Sequence, residues 1–397
     1  MTVFLGGGFA AKYLEGGGNF SVPLQWMLGL RRLKQDAIWL EHLPSDGNFR
    51  DDERKIDNFQ RQLRQHGLGG RYCLLYQKTP ESAHDLDALR CIGISKRELL
   101  ARLAGPNALL NLSYSIHPPL LLKFERRIFC DLDPSEIIYW MTQMEMGQSS
   151  HHEFWTIGLN VNDPDCKLLK VVAAPVSDAP SSSRPTRPPL HWKTFYPLVD
   201  TKLYRPQPRP RSPKFTTIGQ WYWGGAVEVD GTFPDLSKKY AFEQYLDLPR
   251  RVPKAKFELA MHMNPDDPER ERLRKRRWHV VDPHRVARTP AKYRNYLASA
   301  LGEFTAIKGV DVSWKTGWLS DRAAAFLAMG RPVITENSGA GKYLPGASGF
   351  HFVDDLEDAA AAIEDLLANW PRRSREARAS AIEVFDSAKN LRKILAA

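Results

Sequence analysis

Short apolar runs recur along the chain, each followed by a turn and then by a helical pattern. Met1–Leu5 is almost wholly apolar, as a strand buried on both faces would be. Two glycine clusters follow, Gly6-Gly7-Gly8 and Gly16-Gly17-Gly18-Asn19-Phe20. Pro23 can start a helix, with Leu24, Met27, Leu28 and Leu30 at helical spacing. Ala37–Leu40 is the next strand. Strand, glycine loop, helix and strand open a parallel α/β domain. Residues 51–65 read as an exposed helix. Tyr72–Tyr76, Ala108–Leu112 and Lys123–Cys130 read as strands. Asp133 can cap a helix through Tyr139, and Phe154–Leu159 is a strand after His151-His152.

Between Pro175 and Pro213 the composition shifts to Pro, Ser and Arg, as in an extended connector. Leu190–Phe195 can still pair with the first sheet. Beyond it the alternation restarts. Strands are expected at Phe215–Ile218, Phe257–Met261, Trp278–Val281, Phe304–Ile307 and Phe350–Val353. Helices are expected from Tyr240, over Pro268–Arg276, Pro290–Leu301 and Leu356–Leu367, and from Ser374 to the end. The expected division is a first domain over 1–200, a linker over 201–213, a second domain over 214–375, and a terminal helix over 376–397 that packs back towards the first domain. The fold class is α/β, with two doubly wound domains.

Residues 315–339 carry the sharpest chemical pattern. Ser320 or Asp321 can cap a helix, Ala323–Met329 is a strong helix-forming run, and Gly330 and Pro332 end it. Val333–Thr335 then forms a β-branched strand. The start of such a helix offers free amides and a positive dipole end, which suits a phosphate, and Arg322 and Lys315 add charge beside it.

Composition narrows the classes. The 397 residues exceed one core of usual size. No apolar run reaches the roughly 18 residues needed to span a bilayer, and Met1–Leu5 lacks a basic leader. The four cysteines lie far apart with no Cys-x-x-Cys, which fits a reducing cytoplasm and neither a zinc knuckle nor a disulfide framework. Net charge is +10, which favours anionic partners: a nucleotide sugar, a phosphorylated acceptor, nucleic acid or an anionic surface. Neither a Gly-x-Gly-x-x-Gly fingerprint nor a Walker loop is present, and no acidic cluster suggests a metal.

Two such domains, a Pro-rich joint and a terminal helix that crosses back resemble the GT-B glycosyltransferases, two Rossmann-like domains facing each other across a cleft. The local match includes Gly302-Glu303-Phe304, Lys308-Gly309, Thr316 to Arg322 and Met329 to Ile334, which are similar to the donor-binding half. Residues 17–25, Trp39-Leu40-Glu41, Phe154 to Cys166 and Leu248 to Arg251 resemble a poorly characterised bacterial group of that superfamily.

The resemblance implies transfer of a sugar (hexosyl or pentosyl, EC 2.4) from a UDP- or other nucleoside-diphosphate donor to an acceptor hydroxyl, without a metal or other cofactor. It implies that Ser320, Asp321 and Arg322 receive the diphosphate, with Lys308, Lys315, Thr316 and Gly317 nearby. Gln220 and Trp221 would face the pyrophosphate, and Val281 would lie by the nucleobase. Gly17, Gly18 and Asn19 would let the backbone approach the substrates. His151 or His152 would supply a base from the first domain, with His117, Asp131 and Asp133 as weaker candidates. Better-known retaining relatives carry two glutamates around the donor helix. Here the position of the second is Ala325 and the first falls near Gly317, and Glu303, Asp321 or Glu336 could substitute. Three other functions stay open at this stage: a nucleotide-sugar epimerase of the same fold, a DNA-modifying glycosyltransferase or nucleic-acid-binding protein, and a non-catalytic sensor. The acceptor (small molecule, glycan or nucleic acid) and the oligomeric state are open too.

Overall fold

A computed structural model describes residues 1–80, 84–168, 190–229, 231–346 and 349–397. Part of the Pro/Ser/Arg-rich connector expected from Pro175 lies outside these residues. The first half supplies β1 (Thr2–Gly6), β2 (Asp36–Pro44), β3 (Tyr72–Gln77), β4 (Arg90–Gly93), β5 (Asn107–Leu112), β6 (Arg126–Asp131), β7 (Glu153–Thr156) and β8 (Trp192–Thr194). They form one sheet in the order β4-β3-β2-β1-β5-β6-β7-β8, parallel except for β4, which runs antiparallel to β3. The second half supplies β9 (Lys214–Gln220), β10 (Lys256–His262), β11 (Trp278–Val281), β12 (Gly302–Thr305), β13 (Val333–Glu336) and β14 (Phe350–Val353). Their order, β11-β10-β9-β12-β13-β14, is wholly parallel. Numbered within the domain this is 3-2-1-4-5-6, the doubly wound order, and its strand order reverses between β9 and β12. The first sheet reverses between β1 and β5.

The central strands are buried on both faces, which is why they read as continuous apolar runs. Helix α1 (Gly17–Arg32) covers the first sheet, and the last helix, Ser387–Ala396, packs against it through Leu391 and Ile394. A Cβ on Gly29 of α1 would stand 2.5 Å from Leu391 and 2.8 Å from the Ser387 hydroxyl, so this glycine sets the closeness of the two helices. The helix before it runs over Leu356–Glu383 as one element, with a break at Asn369 two residues before Pro371. The ring removes a backbone donor and kinks the helix without ending it. No helix among the described residues is long and apolar enough to cross a membrane.

Glu41 on β2 is fully buried and forms no salt bridge among the described residues. Its carboxylate accepts from the Trp39 indole at 2.8 Å and from the Ala11 amide at 2.9 Å, pinning the glycine loop that leaves β1. Burial outweighs these bonds and pushes its pKa from 4.5 up to about 8. The native state therefore holds a proton that the unfolded chain has lost. Stability from this group is full below pH 4.5 and drains away as pH rises towards 8, at up to about 1.4 kcal/mol per pH unit. Chemical denaturation between pH 5 and 8 is expected to show this decline, and Glu41→Gln is expected to flatten it. A wild-type curve that rises across the same window would contradict the assignment.

Candidate functional site

Open doubly wound sheets bind ligands beyond the carboxyl ends of their strands, where the order reverses. In the second domain that crevice lies beyond Gln220 of β9 and Thr305 of β12. Helix α2 (Asp321–Ala328) starts there. The Ser320 hydroxyl accepts from the Ala323 amide at 3.0 Å, which fixes the helix start. The other first-turn amides have no acceptor within the helix.

Arg322 turns from this first turn onto the strand ends. Its guanidinium pairs with the fully buried Glu303 and donates to the Ile218 carbonyl at 2.7 Å and the Thr305 hydroxyl at 3.4 Å. Burial is the largest influence and alone would lower its pKa, but the charge and hydrogen bond of Glu303 together with Tyr293 and Asp321 more than offset it, so the guanidinium stays charged. Lys238 approaches from the other side of the crevice. Its ammonium donates to the Ala306 carbonyl, and its Cδ and Cε methylenes pack against Gly219. No carboxylate bonds to it among the described residues. Burial, with repulsion from Arg322, pulls its pKa down to about 7. Two cations, one held by a carboxylate and one not, thus converge on a helix start at the switch point.

Asp321, on the same turn, has no salt bridge among the described residues, and burial pushes its pKa up to about 7. Glu336 is committed to structure: it accepts from the Ile307 amide at 2.7 Å, the Gln244 amide at 2.7 Å and the Tyr245 hydroxyl at 3.4 Å.

Lys308, just past β12, crosses to the first domain. Its ammonium is shared by Asp133 and Glu136, at the start of helix α3 (Pro134–Gln143). Glu136 is also held by the Trp223 indole, 2.9 Å from both carboxylate oxygens. Lys308 stacks over the same ring at 4.9 Å. Nearby the backbones of the two halves bond directly, through the Asn160 amide to the Thr316 carbonyl at 3.1 Å.

The structure gathers Ser320, Asp321, Arg322, Lys308, Glu336 and the exposed strand-end Gln220 around this crevice. It moves other expected residues elsewhere. Trp221 is fully buried against Phe242 in the second core, so its ring faces no pyrophosphate. Lys315 turns back to the Asn337 carbonyl at 2.9 Å. Thr316 donates to Asp311 at 2.7 Å. Gly317, at φ +75°, abuts Asn160 so closely that a Cβ would stand 2.6 Å from its amide. Thr316 and Gly317 are therefore part of the domain seam. Val281 ends the edge strand β11, two strands from the crevice.

The glycine loop is likewise taken by protein. A Cβ on Gly17 would lie 2.2 Å from the Ala287 carbonyl and 2.4 Å from that of Thr289, so backbone of the second domain occupies the space expected for substrate. Gly18 faces Tyr293, and Asn19 is exposed.

The histidine pair does not supply a base. His151 is buried, its Nδ1 donating to the Gly147 carbonyl at 2.7 Å and its Nε2 accepting from Asn111 at 3.1 Å. Both nitrogens are engaged, and burial lowers the ring's pKa to about 4. His152 is held on the outside by the Arg127 guanidinium at 2.6 Å. Lys238 escaped the sequence reading. It sits in Ser237-Lys238-Lys239-Tyr240 after an irregular loop, and nothing local separates it from its neighbour Lys239. Among the described residues no group of three His, Cys, Asp or Glu side chains is placed to hold a metal ion.

No family model and no curated protein matches the chain. Solved structures do match it along its whole length. HepE of Anabaena, crystallised with UDP and glucose, superposes with a TM-score of 0.56 at 11% identity, covering 100% of this chain and 99% of HepE. Sucrose-phosphate synthase of Thermosynechococcus elongatus does so at 0.56 and 12%, covering 100% and 98%. AviGT4, a glycosyltransferase of avilamycin A biosynthesis, gives 0.54 and 12%, covering 100% and 96%. Identities this low speak for the fold, and the fold is GT-B: two Rossmann-like domains.

Proposed function

We propose that the protein is a glycosyltransferase that moves a sugar from a nucleoside diphosphate, UDP in the first instance, to an acceptor hydroxyl. The observation that carries this reading is the convergence of Lys238 and Arg322 on the start of α2 at the switch point. Departure of the diphosphate concentrates negative charge on its oxygens. Preorganised cations and amides that meet this charge stabilise the transition state more than the ground state. Lys238 suits the task because, among the described residues, no carboxylate bonds to it and its ammonium donates only to a backbone carbonyl. Arg322 is fixed by Glu303, the Ile218 carbonyl and the Thr305 hydroxyl, so it need not reorganise. These two side chains and the amides of α2 do the work a divalent cation does elsewhere, and the proposed reaction is metal-independent. The two domains meet backbone to backbone at Asn160, Thr316 and Gly317. UDP or a UDP-derived ligand in the solved structures of HepE supports the choice of nucleotide.

Binding has a proton signature. Lys238 is partly deprotonated near pH 7, and an arriving diphosphate raises its proton affinity. Titration calorimetry with UDP at pH 7.5, in buffers of different ionisation enthalpy, is expected to show net proton uptake. Uptake should vanish in Lys238→Met. Heats that do not depend on the buffer would count against a diphosphate beside Lys238.

A further inference from the structure

Two of the four cysteines meet across a strand pair that the donor crevice does not use. Cys73 lies on β3, and Cys91 on the antiparallel edge strand β4. The register sets Cys73 opposite Gly93 and Leu75 opposite Cys91. The cysteines are therefore diagonal neighbours on one face of the sheet, because that face repeats at every second residue. Strand twist draws one diagonal of an antiparallel pair together and spreads the other. The near diagonal is the one used here, since the two thiols are hydrogen-bonded to each other. The residue opposite Cys73 is a glycine, so no side chain stands between the sulfurs.

The two thiols differ in access and in charge. Cys73 is fully buried among Phe4, Leu75, Leu99 and Leu109. Cys91 is half-buried at the margin of that cluster, on the strand that ends the sheet order. The hydrogen bond with Cys73 lowers the Cys91 pKa; burial opposes this and the Lys96 charge supports it. The same contact raises Cys73, and burial adds to the rise. Cys91 is thus the thiol that solvent reaches and that ionises first, and Cys73 is a buried partner already in contact with it. An accessible thiolate beside a second thiol is the arrangement in which oxidation ends as a disulfide. The other two cysteines, Cys130 and Cys166, are 0% and 2% exposed.

We propose that Cys73 and Cys91 are a redox-modification site that closes to a reversible disulfide when the protein meets a peroxide, with Cys91 as the sulfur attacked first. The Cys91 sulfur takes one oxygen of hydrogen peroxide as the O–O bond breaks. The hydroxide released takes the thiol proton and leaves as water. Cys91 is then a sulfenic acid, oxidised by two electrons, and the peroxide is reduced. The Cys73 sulfur attacks Cys91 Sγ, the S–S bond forms, and the hydroxyl departs with the Cys73 proton as a second water. In sum, two thiols and one hydrogen peroxide give one disulfide and two waters. The pair staples the edge strand to β3, at the margin of the first sheet, and the inference stands apart from the glycosyltransferase reading.

The test uses the whole reduced chain and hydrogen peroxide. After oxidation, denaturation and blocking with a maleimide, mass spectrometry is expected to show the loss of two hydrogens. Two fewer maleimide additions than in the reduced protein, and a linked peptide joining Cys73 to Cys91, are expected with it. Dithiothreitol should restore both thiols. Cys73→Ala removes the resolving sulfur, so this variant is expected to accumulate a Cys91 sulfenic acid that dimedone traps and that the wild type does not hold. Cys91→Ala should leave Cys73 reduced at the same peroxide dose. Should a variant fail to fold, the wild-type masses decide alone. Four thiols still reduced after peroxide, a Cys91 sulfinic acid without a link, or a link from Cys91 to Cys130, to Cys166 or to a second molecule overturns the proposal.

Discussion

Arg322→Ala is expected to destabilise the protein by about 3–5 kcal/mol, because it strands a buried carboxylate. Glu303 is fully buried, and its second carboxylate oxygen has no partner even in the wild type. The Arg322 side chain is itself only 13% exposed, so solvent screening does little to soften the loss. Chemical denaturation would show the fall. The same change is expected to abolish the thermal response to UDP, which a ligand bound only to the native state produces by mass action. A destabilised variant could lose that response for trivial reasons. Combining Arg322→Met with Glu303→Leu separates the two effects: replacing both partners with apolar groups of similar volume is expected to recover most of the stability. UDP binding should stay lost. A double variant that regains both would show that Arg322 is a structural partner of Glu303 and nothing more.

Lys238→Met is the complementary change. Methionine keeps the stem and removes a charge that the crevice disfavours, so the fold is expected to remain intact. A charge-assisted hydrogen bond is worth about 1.5–3 kcal/mol, which predicts UDP binding weaker by roughly 10- to 150-fold. The free protein should gain stability at pH 6, where wild-type Lys238 must be charged in the folded state. The sign follows from linkage. The native pKa is about 7 against a reference near 10.5, so the unfolded chain binds more protons between those values and wild-type stability rises with pH across that window. Calorimetry and denaturation at pH 6 and pH 9 check both statements. Equal UDP affinity in variant and wild type would take Lys238 out of the site.

The strands of both sheets were legible wherever burial on two faces forces an apolar run, as at Thr2–Gly6, Tyr72–Gln77 and Val333–Glu336. The edge strand Arg90–Gly93 was not, because one side of it meets water and its residues carry no apolar pattern. The caps and stops of α2 were legible for a local reason: Ser320, Gly330 and Pro332 act on the backbone within a few residues of themselves. Pro371 misled in the opposite direction, since a kinked helix and two separate helices share one local signature. The chemistry of the crevice was legible only where it is local. Arg322 follows directly from the helix start. Lys238 enters the same crevice from 84 positions earlier in the chain, and its importance comes from having no carboxylate bonded to it among the described residues, which only the fold reveals. His151-His152 looked reactive until Asn111, Gly147 and Arg127 were brought to their rings. Gly17 illustrates the same point: a glycine announces close approach, but the approaching group is the carbonyl of Ala287, supplied by the other domain.

The most direct test of the central claim, that the diphosphate is received by Lys238, Arg322 and the start of α2, is a crystal structure of the protein with UDP bound. The account predicts the β-phosphate within hydrogen-bond distance of the Lys238 ammonium and the Arg322 guanidinium. A phosphate seated instead on the glycine loop at Gly16–Gly18, with Lys238 still bonded only to the Ala306 carbonyl, would contradict it.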